Sequence, residues 1–351
     1  MQILLFFLGT SLLILVTLDI LVTTLTMRGG GILTSRLSTW IWQIALRIHY
    51  RHKNHKLLLV TSWAILMSIA LSWYFLFWIG WSLVFISSDS AVVKGPENNT
   101  PAGIWERIYF VGYTISTLGL GKYIPSNPFW QILTAIASMT GFALITVTFA
   151  YLLPVVSAAA NARKVAMYIT SLGGTADDIL IRAWTGQDFG KLDQHLINLS
   201  PMVIQAAENH LTYPILHFFH SLDRARSIAQ SIVALDEALT LLQYGVKPPH
   251  RPDHTVLNSI RRAIAIYLKT LRSAYLKPSI QNPPHPPLEQ LRKAEIPTVS
   301  DLEFSQAIKP IYQRRRLLLA MLENDGWTWD NIASLQTTNR GHNLDDETSA
   351  T

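Results

Sequence analysis

The residues Trp105-Glu106-Arg107-Ile108-Tyr109-Phe110-Val111-Gly112-Tyr113-Thr114-Ile115-Ser116, followed by Thr117-Leu118-Gly119-Leu120-Gly121-Lys122-Tyr123-Ile124-Pro125, decide the fold. The first twelve suffice for about three helical turns but fall short of the roughly 20 apolar residues that cross a bilayer. The next five alternate glycine with larger residues. Uncharged apolar runs, 57–86 and 128–162, lie on either side. A span, a short re-entrant helix, a glycine-alternating loop and a second span bring bare backbone to membrane depth. Such backbone is tolerated there only where it lines a wet pathway or is buried in protein.

Composition agrees. Only 15% of the 351 residues are charged, and the mean hydropathy is +0.24, which excludes a disordered chain and argues against a wholly water-soluble one. The net charge of +6 does not indicate nucleic acid. Residues 1–157 hold nine basic and four acidic residues, whereas 158–351 hold 20 and 19. The excess sits in the apolar half, where basic residues set membrane orientation. There is no cysteine, so disulfides and thiolate chemistry are excluded.

Residues 1–27 read as an N-terminal transmembrane helix. The run is interrupted only by Asp19, with no basic residue before it and no small-residue cleavage pattern after it, so it is an anchor and not a signal peptide. Residues 28–56 form a basic linker with Arg28, Arg36, Arg47, Arg51, Lys53 and Lys56 and no acid. This places the linker in the cytoplasm, the N-terminus outside and the C-terminal part inside a plasma or inner membrane. Leu33, Leu37, Trp40, Ile41, Ile44 and Ile48 recur at helical spacing, which fits an amphipathic helix on anionic headgroups or one packed on the C-terminal domain. Residues 57–162 are the two-span module: spans 57–86 and 128–162, short helix 105–116 and loop 117–121. Residues 163–335 read as a helical cytosolic domain, and 336–351 as a disordered tail. In that domain, 201–245 is expected to be helical from Pro201 with a break at Tyr213-Pro214. Further helices are expected over 256–275 and 300–323, with a proline-rich linker at 277–287. No strand pattern stands out. The fold class is therefore an all-α membrane protein.

The loop's residue types suit a cation. A dehydrating ion needs rings of oxygens, and backbone carbonyls supply dipoles without a trapping full charge. For successive carbonyls to point one way the backbone must alternate between right- and left-handed regions, which Gly119 and Gly121 make cheap. Thr117 adds a hydroxyl oxygen, and the short helix directs its negative end towards the path.

Thr114-Ile115-Ser116-Thr117-Leu118-Gly119-Leu120-Gly121 resembles the Thr-x-x-Thr-x-Gly-aromatic-Gly signature of the potassium-channel pore family. The resemblance covers about 57–160 and implies a pore helix, a selectivity filter (Thr117, Leu118, Gly119, Leu120 and Gly121) and an assembly of four copies. It also implies a gating hinge at Gly141, with Pro154 as the alternative. Leu118 and Leu120 depart from the usual Val or Ile and aromatic. Lys122, at the outer mouth, stands where the family has Asp, and Tyr113 stands where the family has the acidic partner of that Asp. The bracing network must therefore differ, and strict potassium selectivity is in question. Permeant potassium is the only ligand implied. Membrane lipid, further copies of the chain and monovalent cations are the partners, the regulatory ligand being open.

Four secondary features have plainer readings. Asp19 reads as an acid near the inner interface that snorkels, the alternative being a buried pairing. His210, His217 and His220 read as ordinary surface or interface histidines. Arg314-Arg315-Arg316 reads as a solvated helix face. Asn98-Asn99-Thr100 is a glycosylation sequon, relevant only in a eukaryotic source. No nucleophile–base–acid set occurs, so the chain is not expected to be an enzyme. The expected function is a tetrameric, potassium-channel-like cation channel regulated by its helical domain. The alternatives are a weakly selective cation channel, or a non-conducting scaffold presenting that domain.

Overall fold

A computed structural model describes residues 2–26, 30–52, 55–95, 100–274 and 276–330. Arg28, Lys53, the first two sequon positions and the tail 336–351 lie outside the described residues. The chain divides into two compact units, Met1–Ala159 with Asn209–His220, and Ala160–Glu208 with Ser221–Thr351.

The first unit holds α1 (Gln2–Leu25), α2 (Ile32–His52), α3 (His55–Ile86), α4 (Ile104–Ile115) and most of α5 (Pro128–Leu172). Of these, α1, α3 and α5 are long and apolar enough to cross a bilayer. The helix α5 continues past 162 because nothing in its sequence stops it before Gly173-Gly174. Between α3 and α5, β1 (Val92–Val93) pairs antiparallel with β2 (Ile124–Pro125), Val93 opposite Ile124. Two-residue strands are too short to show alternation in a sequence.

The helices α1 and α3 approach through glycines: a Cβ on Gly9 would stand 2.7 Å from the Gly80 carbonyl oxygen. Close approach at small residues is how apolar helices associate when lipid removes the hydrophobic drive. Asp19 corrects the sequence reading. It is 5% exposed and does not snorkel. Its Oδ1 accepts from the Leu33 backbone N–H at 2.8 Å, capping the first turn of α2 from another helix. Its Oδ2 accepts from Thr34 Oγ1 at 2.7 Å and from Trp73 Nε1 at 3.1 Å. One carboxylate thus joins α1, α2 and α3. Gly31 leaves room for it, since a Cβ there would lie 2.0 Å from Oδ1.

The segment 209–220 belongs to this unit, and the helix ends at Thr212, at the expected break before Tyr213-Pro214, although it starts before Pro201. Pro201 lies inside α7 (Leu192–Thr212), and Pro214 begins a 3-10 turn over Pro214–Phe218. Ser62 Oγ donates to the Phe218 carbonyl at 2.6 Å and accepts from the His220 N–H at 3.2 Å. The His220 ring stacks on His55 at 5.2 Å, and His49 meets His55 edge-on at 4.5 Å. His210 and His220 are therefore buried, contrary to a surface reading. Among the described residues no group of three His, Asp or Glu side chains is arranged to hold a metal ion.

In the second unit α6 (Ala176–Ala183) and α9 (His254–Ala274) pack on α8 (Ile228–Thr240), whose residues from Ala229 on are all buried, and α7 adds side chains to the same core. The expected helix over 300–323 is divided at Pro310: α10 (Glu289–Lys293) is followed by α11 (Asp301–Ala307), a 3-10 turn and α12 (Tyr312–Asn324). The arginine triplet on α12 is not a solvated face. Arg315 is fully buried and forms two bonds with Glu237, at 2.8 and 2.7 Å. Arg314 makes a bidentate pair with Asp236, which Arg261 also meets at 3.1 Å. Burial alone would raise the Asp236 carboxyl, but the two guanidiniums reverse this and hold it below the usual carboxylate range. Arg315 also donates to the Pro284 carbonyl at 2.6 Å, and Arg316 donates to the Ser279 carbonyl, so the proline-rich stretch is tied down and is not a free linker. Replacing Arg315 with Ala leaves Glu237 buried without its cation. We expect a loss of about 3–5 kcal/mol in the stability of this unit, read by chemical denaturation, with a much smaller loss for Arg316→Ala.

Candidate functional site

The helix α4 is amphipathic and short because glycine starts it and Thr117 stops it. Glu106 in its first turn accepts the Gly103 N–H through Oε2 at 2.7 Å. At the other end the Thr117 N–H bonds the Thr114 carbonyl at 3.0 Å and the Leu118 N–H bonds Tyr113 at 2.9 Å, closing the helix. Thr117 then has φ of 61°, Gly119 59° and Gly121 70°, while Leu118 and Leu120 keep negative φ. The backbone therefore changes hand at every residue from 117 to 121. A threonine with positive φ is strained, at about 1–3 kcal/mol, and such strain persists only where surrounding structure imposes it.

The surroundings impose it from behind. Tyr113 OH donates to the Tyr123 carbonyl at 2.7 Å, and Tyr123 OH donates to Glu106 Oε1 at 3.1 Å. Lys94 Nζ meets the same oxygen at 3.0 Å. The Gly103 N–H first, then Lys94, hold the Glu106 carboxyl below the ordinary range. Tyr109, Phe110 and Tyr113 stack edge-to-face at 5.4 Å. Tyr113 thus braces the chain on the far side of the loop.

Arg107, absent from the sequence reading, is 4% exposed and binds the carbonyls of Ala102, Ile86 and Ser88 at 2.8, 3.1 and 2.9 Å, and Asp89 at 2.9 Å. It joins the end of α3 to the start of α4. The signal for it was available: Glu106-Arg107 is an adjacent acid and base in an otherwise nearly uncharged half of the chain.

The helices α3 and α5 hold α4 along its length. Trp78 Nε1 donates to the Ile108 carbonyl at 3.0 Å, and Trp81 Nε1 to Thr140 Oγ1 at 3.0 Å. A Cβ on Gly141 would stand 1.9 Å from the Ile115 carbonyl oxygen. The glycine lets α5 lie directly against the carbonyl end of α4. Packing demands it there, whatever bending it also permits. Pro154 lies inside the same unbroken helix.

The loop itself is bare. Every residue from 116 to 122 is exposed, between buried Ile115 and buried Tyr123. Nothing lies within 4 Å of where a Cβ would stand on Gly119 or Gly121. Leu118 is 63% and Leu120 49% exposed, and the Lys122 ammonium lies 5.5 Å from the centre of the Tyr123 ring. A stripe of α5 is exposed as well, through Ile132, Met139, Phe142 and Phe149.

The family described as Ion channel matches residues 65–158. Along nearly its whole length the chain is similar to the uncharacterized membrane protein YdjJ of Bacillus subtilis (strain 168), with 34% identity over 322 residues, 92% of this chain and 94% of the relative. No solved structure matches. The packing at Gly141 yields a test. Gly141→Ala should displace the end of α4 and lower the melting temperature of the detergent-purified protein by several degrees, whereas Ala135→Gly, at an exposed position of the same helix, should lower it less. Equal melting temperatures for wild type and Gly141→Ala would remove the steric role.

Proposed function

This chain belongs to the ion-channel family, and on that premise we propose that four copies assemble around one axis and pass cations through the backbone of residues 117–121. One observation carries the proposal: a stretch of alternating handedness, braced from behind and bare in front. A single bare loop at membrane depth leaves its carbonyls without partners, which lipid does not supply. Four such loops facing one another leave those carbonyls to dehydrated ions, and potassium is the cation we assign. The exposed stripe of α5 then covers neighbouring copies or lines the inner path. The N-terminus lies outside, the second unit lies in the cytoplasm, and bending of α5 near Gly141 or Pro154 under that unit's control opens the path. No cofactor is needed beyond the permeant ion.

Lys122 favours a second reading, a weakly selective channel. Its ammonium has the wrong sign for attracting cations to the mouth, and Leu120 lacks the hydroxyl or ring that packs a filter from behind.

The test is ion flux from liposomes holding the purified protein. Wild type should release potassium down its gradient, and Gly119→Ala or Gly121→Ala should abolish release while assembly persists, because alanine is penalised at positive φ. Undiminished flux through an assembled Gly119→Ala protein rejects conduction through this backbone. A wild type that assembles and releases no cation is a membrane scaffold instead.

Lys122 gives a separate prediction. Lys122→Asp reverses four charges in the tetramer and should raise inward single-channel current, more at low than at high salt, since the Debye length shrinks to about 3 Å at 1 M. Lys122→Gln should fall between. A decrease that ignores salt means that Lys122 acts structurally through its ring contact.

A further inference from the structure

The fold uses only one side of the helix α2. Thr34, Ser38, Trp42, Ala45 and His49 are buried. They recur at three- and four-residue steps and form the side that packs on α3. On the outward side, at 100° per residue, one row is apolar, with Trp40, Ile44 and Ile48 exposed by 65%, 38% and 43%. Arginines border that row and enter it: Arg36 and Arg47 lie at its edge, Arg51 projects between Trp40 and Ile44, and all three are exposed. The helix carries no acidic residue to pair with them.

This pattern excludes two ordinary explanations. A helix facing water does not display a tryptophan and two isoleucines in one row. A helix crossing the hydrocarbon does not carry three arginines on its outer side. The combination fits a helix lying in the interface, its apolar row at the acyl boundary and its cations at headgroup level. The orientation is set before any lipid arrives. Asp19 holds the first turn through the Leu33 N–H and Thr34, and Asp19 also accepts from Trp73 of a spanning helix. At the last turn His49 lies against His55, the first residue of that same helix.

We propose that the outward face of α2 is a binding surface for anionic phospholipid of the leaflet on its side of the membrane. Arginine rather than lysine suits a phosphodiester, because its planar fork donates two parallel bonds. The charge is unopposed on the helix, so a zwitterionic headgroup, whose own cation would face the arginines, satisfies them less well.

Because the chain has no native cysteine, Ile44→Cys gives a single spin-label site in the full protein. The labelled protein is reconstituted in phosphatidylglycerol or in phosphatidylcholine vesicles, and collision with oxygen and with a water-soluble nickel chelate is measured. In phosphatidylglycerol the label should be accessible to oxygen and lose accessibility to nickel. In phosphatidylcholine it should shift towards nickel. Arg36→Gln with Arg47→Gln and Arg51→Gln should remove the difference between the two lipids, and free glycerol phosphate added to phosphatidylcholine vesicles should not reproduce it. A label equally open to nickel in both lipids overturns the proposal. So does one closed to both reagents in both lipids, which means that protein covers α2. Flux does not enter the readout, so a protein that fails to conduct leaves this result standing.

Discussion

The Ile115 carbonyl lies where a side chain on residue 141 would begin, and the arrangement of the membrane unit follows from that contact. A side chain at 141 would have to overlap the carbonyl oxygen, 1.9 Å from an ideal Cβ. The helix α5 can therefore press directly on the end of α4, and α3 bonds α4 through Trp78 and α5 through Trp81. Held on these sides, α4 ends at a fixed place, where its Tyr113 and Thr114 carbonyls close on Leu118 and Thr117. The loop is tied at its start by the Thr117 and Leu118 N–H bonds to α4, and beyond them it is exposed.

The few charges of this unit serve the same end. Arg107 satisfies three carbonyls and an aspartate where α3 ends and α4 begins, and Asp19 satisfies three donors where α1, α2 and α3 meet. A buried charge is costly unless its hydrogen-bonding capacity is met, so each fixes the elements that meet it. Lys122 is different: it is exposed beside a bare loop, and its ammonium lies over the Tyr123 ring.

The apolar lengths, the short helix and the glycine alternation were legible in the sequence because each is a local pattern. The alternating φ at Thr117, Gly119 and Gly121 had its cause in adjacent residues. What the sequence hid were pairings across distance. Arg315 reads as one of three exposed arginines until Glu237, 78 positions earlier, is placed beside it. Asp19 finds its partners in the next two helices, so nothing around it marks it as a cap. The hinge reading of Gly141 rests on its place in the resemblance, whereas its steric role depends on Ile115 and shows only in the fold. Tyr113 was correctly singled out as a replacement, but its bond to the Tyr123 carbonyl required the turn between them. Pro201 was read as a helix start because proline is favoured in a first turn, yet α7 carries it in its interior.

The central claim is that residues 117–121 of several copies meet and coordinate cations with their backbone. Crystals of the assembled protein grown in thallium salt test it most directly, because thallium mimics potassium and scatters anomalously. The account predicts anomalous peaks on a fourfold axis, each within coordination distance of carbonyl oxygens from residues 117–121 of four copies. Loops that stand apart, or a shared axis with no ion at that level, would contradict it.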